Sequence, residues 1–306
     1  MQAHHLVTLH DLPAEDLLEI LDLAAAIKAH PRRYRDALDG KTLAMIFQKE
    51  STRTRVSFEV GVQELGGHAI FLSSRDIQMR RGETISDTAQ VLSRYVHGIM
   101  IRTFDHQDVI DLSRYGSVPV INGLDDFVHP CQALADYFTI REHKGPLEGL
   151  KLSYVGDGNN VAHSLIFGGV KLGVHVTCAC PPGHGPSPLV LERAAPEAAR
   201  RGVRIEVVDD PRVGVQGADV VYTDTWVSMG QDAQREAKIK ALAPYQVNGD
   251  LFAAAKDDAL FMHCLPAHRG EEVTDEVADH PRSVIFDQAE NRLHVQKAIL
   301  VLLMGD

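Results

Sequence analysis

Cysteine is scarce in this 306-residue chain: Cys131, Cys178, Cys180 and Cys264 are the only four, and none stands in a Cys-x-x-Cys spacing. That excludes the disulfide framework of a small secreted scaffold and points to a reduced, cytosolic compartment with no disulfide. No uninterrupted apolar run approaches the ~20 residues that span a bilayer, so no membrane span is expected. Nor is a signal peptide expected. The N-terminal region passes directly into an acidic amphipathic pattern, with Pro13, Glu15 and Asp16 in a first turn and Leu17, Ile20, Leu21, Ala24 and Ile27 on one face. Positive charge is in deficit, with 31 Lys and Arg against 42 Asp and Glu and a formal charge of −11. This argues against nucleic acid or an anionic membrane as a general partner. There are 16 histidines but no His-Glu-x-x-His or Cys/His ligand spacing, so no metal site is predicted.

What is present is a soluble composition, 44% hydrophobic and 24% charged, in a chain long enough for roughly two domains. Short apolar, β-branched runs alternate with longer helical patterns. The runs are 43–47, 69–72, 98–101 and 118–121, then 152–155, 174–178, 204–208, 219–222, 260–263 and 284–286. Such alternation predicts an α/β fold of two doubly wound domains, each with a central parallel sheet flanked by helices. A helix beginning near Pro130 and the Lys144-Gly145-Pro146 break separate the two sets. The expected domains are 1–143 and 144–286, followed by a C-terminal helical segment, 287–306. Ligands of such folds sit outside the carboxyl ends of the strands, so the reaction centre is expected in the cleft between the domains.

The most informative stretch is Phe47-Gln-Lys-Glu-Ser-Thr-Arg-Thr-Arg55, where an apolar strand-like run stops and a helical pattern begins at Ser51. At a helix start the free N–H groups and the positive dipole end point the same way. Ser51, Thr52 and Thr54 add hydroxyls and Arg53 a planar guanidinium, which together make an anion site. A plain serine N-cap with surface arginines would use the same residues. Around this stretch, between Lys49 and Arg102, eight Lys or Arg stand against six acids (8 − 6 = +2), a basic region in an acidic chain. That combination suggests a small anionic ligand.

A competing motif is Tyr154-Val-Gly-Asp-Gly-Asn-Asn160, which opens like a dinucleotide-binding turn. It is incomplete. The third glycine falls at Val161, and the next strand ends at Cys178, Ala179 and Cys180 without an acid to hold a ribose hydroxyl.

Four later segments join Ser51 to Arg55 in one ordered pattern: His129-Pro130-Cys131-Gln132, Asp224-Thr-Trp-Val-Ser-Met-Gly230, His263-Cys264-Leu265-Pro266, and Asp287-Gln-Ala-Glu-Asn-Arg292. The pattern resembles the aspartate/ornithine carbamoyltransferase family along nearly the whole chain, and its Ser-Met-Gly segment resembles the ornithine-using members. The resemblance implies transfer of a carbamoyl group from carbamoyl phosphate to the side-chain amine of L-ornithine, giving L-citrulline and phosphate in arginine metabolism. It assigns carbamoyl phosphate to Ser51, Thr52, Arg53, Thr54, Arg102, His129, Pro130, Cys131, Gln132, Cys264, Leu265 and Arg292. Arg102, His129, Cys264 and Arg292 would be catalytic. Leu265 would act through its backbone carbonyl, and Cys264 would order the amine or relay its proton. Gln78 would reach the phosphate of a neighbouring subunit, which implies a homotrimer or larger homo-oligomer. Ornithine would meet Asn160 through its carboxylate and Asp224 through its α-ammonium, with Ser228 and Met229 closing over it. No cofactor or metal is implied.

The residues favour a cationic acceptor. Asp224 would repel the second carboxylate of aspartate, and Cys264 stands where an aspartate-using relative resembles a proline form. An N-acylated ornithine would lack the α-ammonium for Asp224, and putrescine would lack the carboxylate for Asn160. Two other classes compete: a non-catalytic binding homologue, opposed by the joint presence of Arg53, Arg102, His129, Cys264 and Arg292, and a dinucleotide oxidoreductase.

Overall fold

Runs such as Leu43-Ala-Met-Ile-Phe47 and Gly98-Ile-Met-Ile-Arg102 are buried at every position, as strands covered by helices on both faces must be. They are the central strands of the first of two parallel sheets in the computed structural model, which describes residues 1–74, 77–79, 82–227, 230, 233 and 235–305. This sheet holds β1 (Thr42–Phe47), β2 (His68–Ser73), β3 (Gly98–Arg102) and β4 (Val120–Leu124), in the order β2-β1-β3-β4. The second holds β5 (Lys151–Val155), β6 (His175–Ala179), β7 (Ile205–Val208), β8 (Val220–Thr223) and β9 (Leu260–His263), in the order β7-β6-β5-β8-β9. Helices connect the strands, so the chain is α/β with two doubly wound domains, as the alternation predicts.

The chain divides into two compact units: Met1–Phe138 with Glu290–Asp306, and Thr139–Ala289. In the first, Ala44, Ile46, Ile99, Ile101, Val109, Leu112 and Val120 share a core. The helix Ala14–Ala29 buries Leu17, Ile20, Leu21, Ala24 and Ile27, the stripe read from their spacing. In the second, Val155, Val215, Val221, Phe252, Phe261 and Ile285 share another.

Each sheet has a switch point where strand order reverses. In the first it lies between β1 and β3, whose last paired residues are Phe47 and Arg102. In the second it lies between β5 and β8, whose last paired residues are Val155 and Thr223, and Thr223 in turn faces His263 on β9. Crevices outside these strand ends are where open parallel sheets hold ligands.

One predicted strand is corrected. The run 284–286 is not a tenth strand: Ser283 makes an isolated bridge to Phe261, and the chain then enters the helix Ile285–Met304. Val284 N donates to Phe261 O at 3.0 Å, while Gln288 N already donates to Val284 O at 2.8 Å in the helical sense. A three-residue apolar run satisfies one ladder contact before helical bonding captures it, with Ile285 buried and Phe286 69% exposed.

Candidate functional site

The helix expected to start at Ser51 does start there. Ser51 is the N-cap of the helix Thr52–Glu64, its Oγ accepting from Thr54 N at 3.2 Å. Thr52 and Arg53 are exposed on the first turn, while Thr54 is buried. On Thr54 Oγ1 two guanidinium groups converge: Arg102 Nη1 donates at 3.3 Å and Arg292 Nη2 at 3.0 Å. Arg292 Nη1 also donates to Gln132 Oε1 at 2.6 Å, and Gln132 Nε2 donates to Asp136 Oδ1 at 2.8 Å. With its amide turned to donate to Ser57 Oγ, Gln296 accepts from Arg292 Nε at 3.3 Å. Four sequence-distant segments thus meet in one bonded set beside the β1/β3 switch point.

His129 is 4% exposed, and its pKa is held well below the usual 6.5, first by burial and then by Arg292, Arg102, Lys49 and Arg53. The imidazole is therefore neutral at pH 7. Pro130 opens the helix Pro130–Lys144, where its missing N–H costs nothing. The Cys131 thiol donates to Asn122 O at 3.4 Å within the core, and burial pushes its pKa up to about 12. Gln78 is exposed next to Met79, which bridges Glu83. It shares no hydrogen bond with the set around Thr54 among the described residues.

The second set grows from the β5/β8 switch point. Asp224 and Cys264 are the first residues beyond the paired Thr223 and His263, so register alone makes them neighbours. Cys264 Sγ donates to Asp224 Oδ1 at 3.0 Å, as does Thr225 N at 2.7 Å; Asn159 Nδ2 donates to Asp224 Oδ2 at 2.7 Å. A carboxylate offers about four acceptor positions, and these three donors among the described residues leave room for one more. Asn159 caps the helix Asn160–Leu172 with its Oδ1, which also accepts from Tyr154 Oη at 3.2 Å. Asn160 is the first residue of that helix and is half-buried. Tyr154 titrates well above 10, because it is buried and because Asp224 and Asp157 disfavour a phenolate.

Leu265 stands at φ +58° before a cis Leu265–Pro266 bond. A branched residue enters this left-handed region at a cost on the order of 1–3 kcal/mol, so its surroundings must hold it there. Leu265 N donates to His263 Nδ1 at 2.9 Å, and His263 Nε2 meets the fully buried Glu272 at 3.1 Å. Asp224, His263 and Cys264 also form a group of possible metal ligands, but these hydrogen bonds already engage both imidazole nitrogens and the thiol. Ser228 and Met229 lie outside the described residues.

Several participants escape sequence reasoning. Lys49 is 4% exposed, bonded to Asp126 and 4.5 Å from the centre of the Phe104 ring, and His129 feels its charge. Only its place beside Ser51 pointed to it. Asn159 carries a signal that could have been read, an asparagine immediately before a helix. The helical spacing of Gln132 and Asp136 is another.

Comparison with known proteins agrees with this architecture. The profile of the aspartate/ornithine carbamoyltransferase carbamoyl-P binding domain matches residues 4–142, and that of the Asp/Orn binding domain matches 148–303. An ornithine carbamoyltransferase of Thermococcus kodakarensis is 59% identical over 302 residues, covering 97% of this chain and 95% of that protein. The anabolic ornithine carbamoyltransferase of Pyrococcus furiosus is 58% identical over 305 residues, covering 98% and 96%. A solved structure of ornithine carbamoyltransferase from P. furiosus superposes with a TM-score of 0.95 at 58% identity over 98% of this chain and 97% of that one. Ornithine transcarbamoylase from Giardia lamblia gives 0.91 at 36% identity over 100% and 99%. Matched along nearly its whole length by both domain profiles and by full-length relatives, this chain belongs to the aspartate/ornithine carbamoyltransferase family.

Proposed function

We propose that the chain transfers the carbamoyl group of carbamoyl phosphate to the side-chain amine of L-ornithine, giving L-citrulline and phosphate. The observation that carries this reading is the convergence of Arg102 and Arg292 on Thr54, at a helix start whose first turn bears Arg53. It combines a phosphate cradle with donors suited to a developing oxyanion. The phosphate is assigned to Ser51, Thr52, Arg53 and Thr54, and the carbamoyl oxygen to Arg102, His129, Gln132 and Arg292. Pro130 and Cys131 contribute through their backbone, since the Cys131 thiol is turned to Asn122. A neutral His129 can donate an N–H without surrendering a proton.

The reaction is acyl transfer. The deprotonated amine attacks the carbonyl carbon, a C–N bond forms, and the π pair moves to oxygen, where the assigned donors meet it. Collapse of the tetrahedral intermediate returns the oxyanion pair to re-form the C=O bond and breaks the bond from carbon to the phosphate oxygen, so that phosphate leaves with the electron pair of that broken bond. The amine proton goes to phosphate or solvent. The Cys264 S–H is directed at Asp224, the carboxylate assigned to the α-ammonium, and this favours ordering of the amine over relay of its proton. Asp224 takes the α-ammonium at its fourth acceptor position, Asn160 the carboxylate, and the Leu265 carbonyl the carbamoyl amide. Ser228 and Met229 complete the ornithine contacts. The identity to relatives named ornithine carbamoyltransferase supports this acceptor, and the anabolic name of the P. furiosus relative supports the citrulline-forming direction.

No described helix is long and apolar enough to cross a membrane. We place the enzyme in the cytosol as a homotrimer or larger, with the exposed Gln78 reaching a neighbour's phosphate; light scattering of the purified protein tests the assembly. The activity is tested by a colorimetric assay for ureido product, with carbamoyl phosphate fixed and L-ornithine, L-aspartate, N-acetylornithine and putrescine in parallel. Product with ornithine alone is expected. Product with another amine overturns the roles of Asp224, Ser228 and Met229, and silence in every well overturns catalysis.

A further inference from the structure

The glycine-rich turn after β5, residues 156–159, is gripped from two sides. From one side comes the Pro181–Pro188 stretch: His184 Nδ1 lies 2.9 Å from Asp157 Oδ1, and Gly158 N donates to His184 O at 2.7 Å. A Cβ on Gly158 would fall 2.3 Å from Pro186 N and 2.4 Å from Gly185 C, so only glycine fits. From the other side comes the segment that starts at Asp224, and it touches the same turn at three places. Asp224 receives Asn159 Nδ2 at 2.7 Å. Trp226, 2% exposed, sets its Nε1 3.5 Å from where a Cβ on Gly156 would stand. Lys238, on the helix Arg235–Leu242, donates from Nζ to Asp157 Oδ2 at 2.6 Å, with both side chains about nine-tenths buried. Gly158 is required for close packing between chain segments, and Gly156 for its φ of +130°. That explains a dinucleotide-like sequence without a dinucleotide.

We propose that Asp157 and Lys238 are positioning residues for the amino-acid half of the site. Asp157 touches no reacting atom in this scheme. It holds the turn that presents Asn159 to Asp224 and that starts the helix at Asn160, and Lys238 fixes the far end of the segment that begins at Asp224. A largely buried, charge-assisted bond of this kind sets geometry more strictly than a surface ion pair, because both partners are mostly withdrawn from water. The inference rests on the ornithine-binding reading above, and it predicts a defect confined to one substrate.

The test compares wild type with Lys238→Met, Asp157→Asn and Lys238→Arg. Lys238→Met and Asp157→Asn should raise the KM for ornithine on the order of tenfold, the scale of one charge-assisted bond, while the KM for carbamoyl phosphate changes less than about twofold. Lys238→Arg should restore most of the loss. Trp226 is the only tryptophan of the chain, so acrylamide quenching of intrinsic fluorescence reports its seat on Gly156 without any ligand. Quenching should rise in Lys238→Met and return toward wild type in Lys238→Arg. Where wild type makes citrulline, equal rises in both KM values, or an unchanged ornithine KM, in Lys238→Met and Asp157→Asn overturn the positioning role. If wild type makes no citrulline the functional reading fails instead, and the quenching comparison alone decides, with unchanged quenching overturning the proposal.

Discussion

The two units solve opposite electrostatic problems with the same architecture. In the first, a neutral hydroxyl, Thr54 Oγ1, collects two guanidinium groups; in the second, a carboxylate, Asp224, collects a thiol, a backbone N–H and a side-chain amide. Both sets stand just beyond the strands that flank a switch point, β1 and β3 or β5 and β8. The polarity of each set is written by residue choice, while its location is fixed by topology. Cations converging on a neutral acceptor leave a field that suits an anion. A carboxylate held by neutral donors keeps its charge for a cation.

The comparison breaks most sharply at Arg292. Arg292→Leu removes donors to Thr54 and Gln132 and should lower kcat/KM for carbamoyl phosphate on the order of 100- to 1,000-fold, the scale of a lost oxyanion donor. The ornithine KM should move far less. Steady-state kinetics with each substrate varied in turn checks this, and equal damage to both would mean that the two sets do not act on separate substrates. Asp224→Asn should give the mirror image, an ornithine KM raised roughly 10- to 100-fold with the carbamoyl phosphate KM nearly unchanged.

pH sharpens the contrast. The ornithine amine resembles a lysine amine, with an unperturbed pKa of about 10.4, so kcat/KM for ornithine should climb from about pH 6 to 9. His129 adds no limb in that range, since burial and four cations hold it deprotonated well below 6.5. His129→Gln should lower the profile without changing its shape. Stability follows the same sign. Below pH 6.5 the unfolded chain takes up a proton that the folded one refuses, so stability is lost as pH falls from 6.5 toward the depressed folded value, and it is fully present above 6.5. Urea midpoints at pH 7.5 and 5.5 should differ less in His129→Gln than in wild type.

Nine of the ten expected strands correspond to β1 to β9. The central ones were legible because strands buried on both faces leave apolar runs, and the edge strands β2 and β7, which carry exposed positions, still show short apolar, β-branched stretches. The tenth, at 284–286, failed because three apolar residues do not distinguish a strand from a helix start. The meeting of Ser51–Thr54 with Arg102 follows from topology, since both leave adjacent parallel strands. The bond from Cys264 to Asp224 depends on register, and the bonds around Asp157 depend on a loop and a helix that return at residues 184 and 238. No local pattern records such contacts, because they are made by tertiary closure.

The smallest expected effect separates two cysteines, one in each unit. Both lie in the motifs that carry the family resemblance, yet their thiols face different chemistry. Cys131 is fully buried, gives its weak hydrogen bond to Asn122 O, and titrates near 12, so it is neither a nucleophile nor a ligand group at neutral pH. Cys264 is half-buried and bonded to Asp224. Cys131→Ala should therefore cost on the order of 1 kcal/mol of folding stability, the scale of a small buried group and one weak bond, and leave both KM values within about twofold. Urea denaturation and steady-state kinetics on the same preparation test this. A Cys131→Ala enzyme with normal stability and a raised carbamoyl phosphate KM would transfer that thiol from the core to the anion site, and the first half of the comparison would have to be redrawn around it.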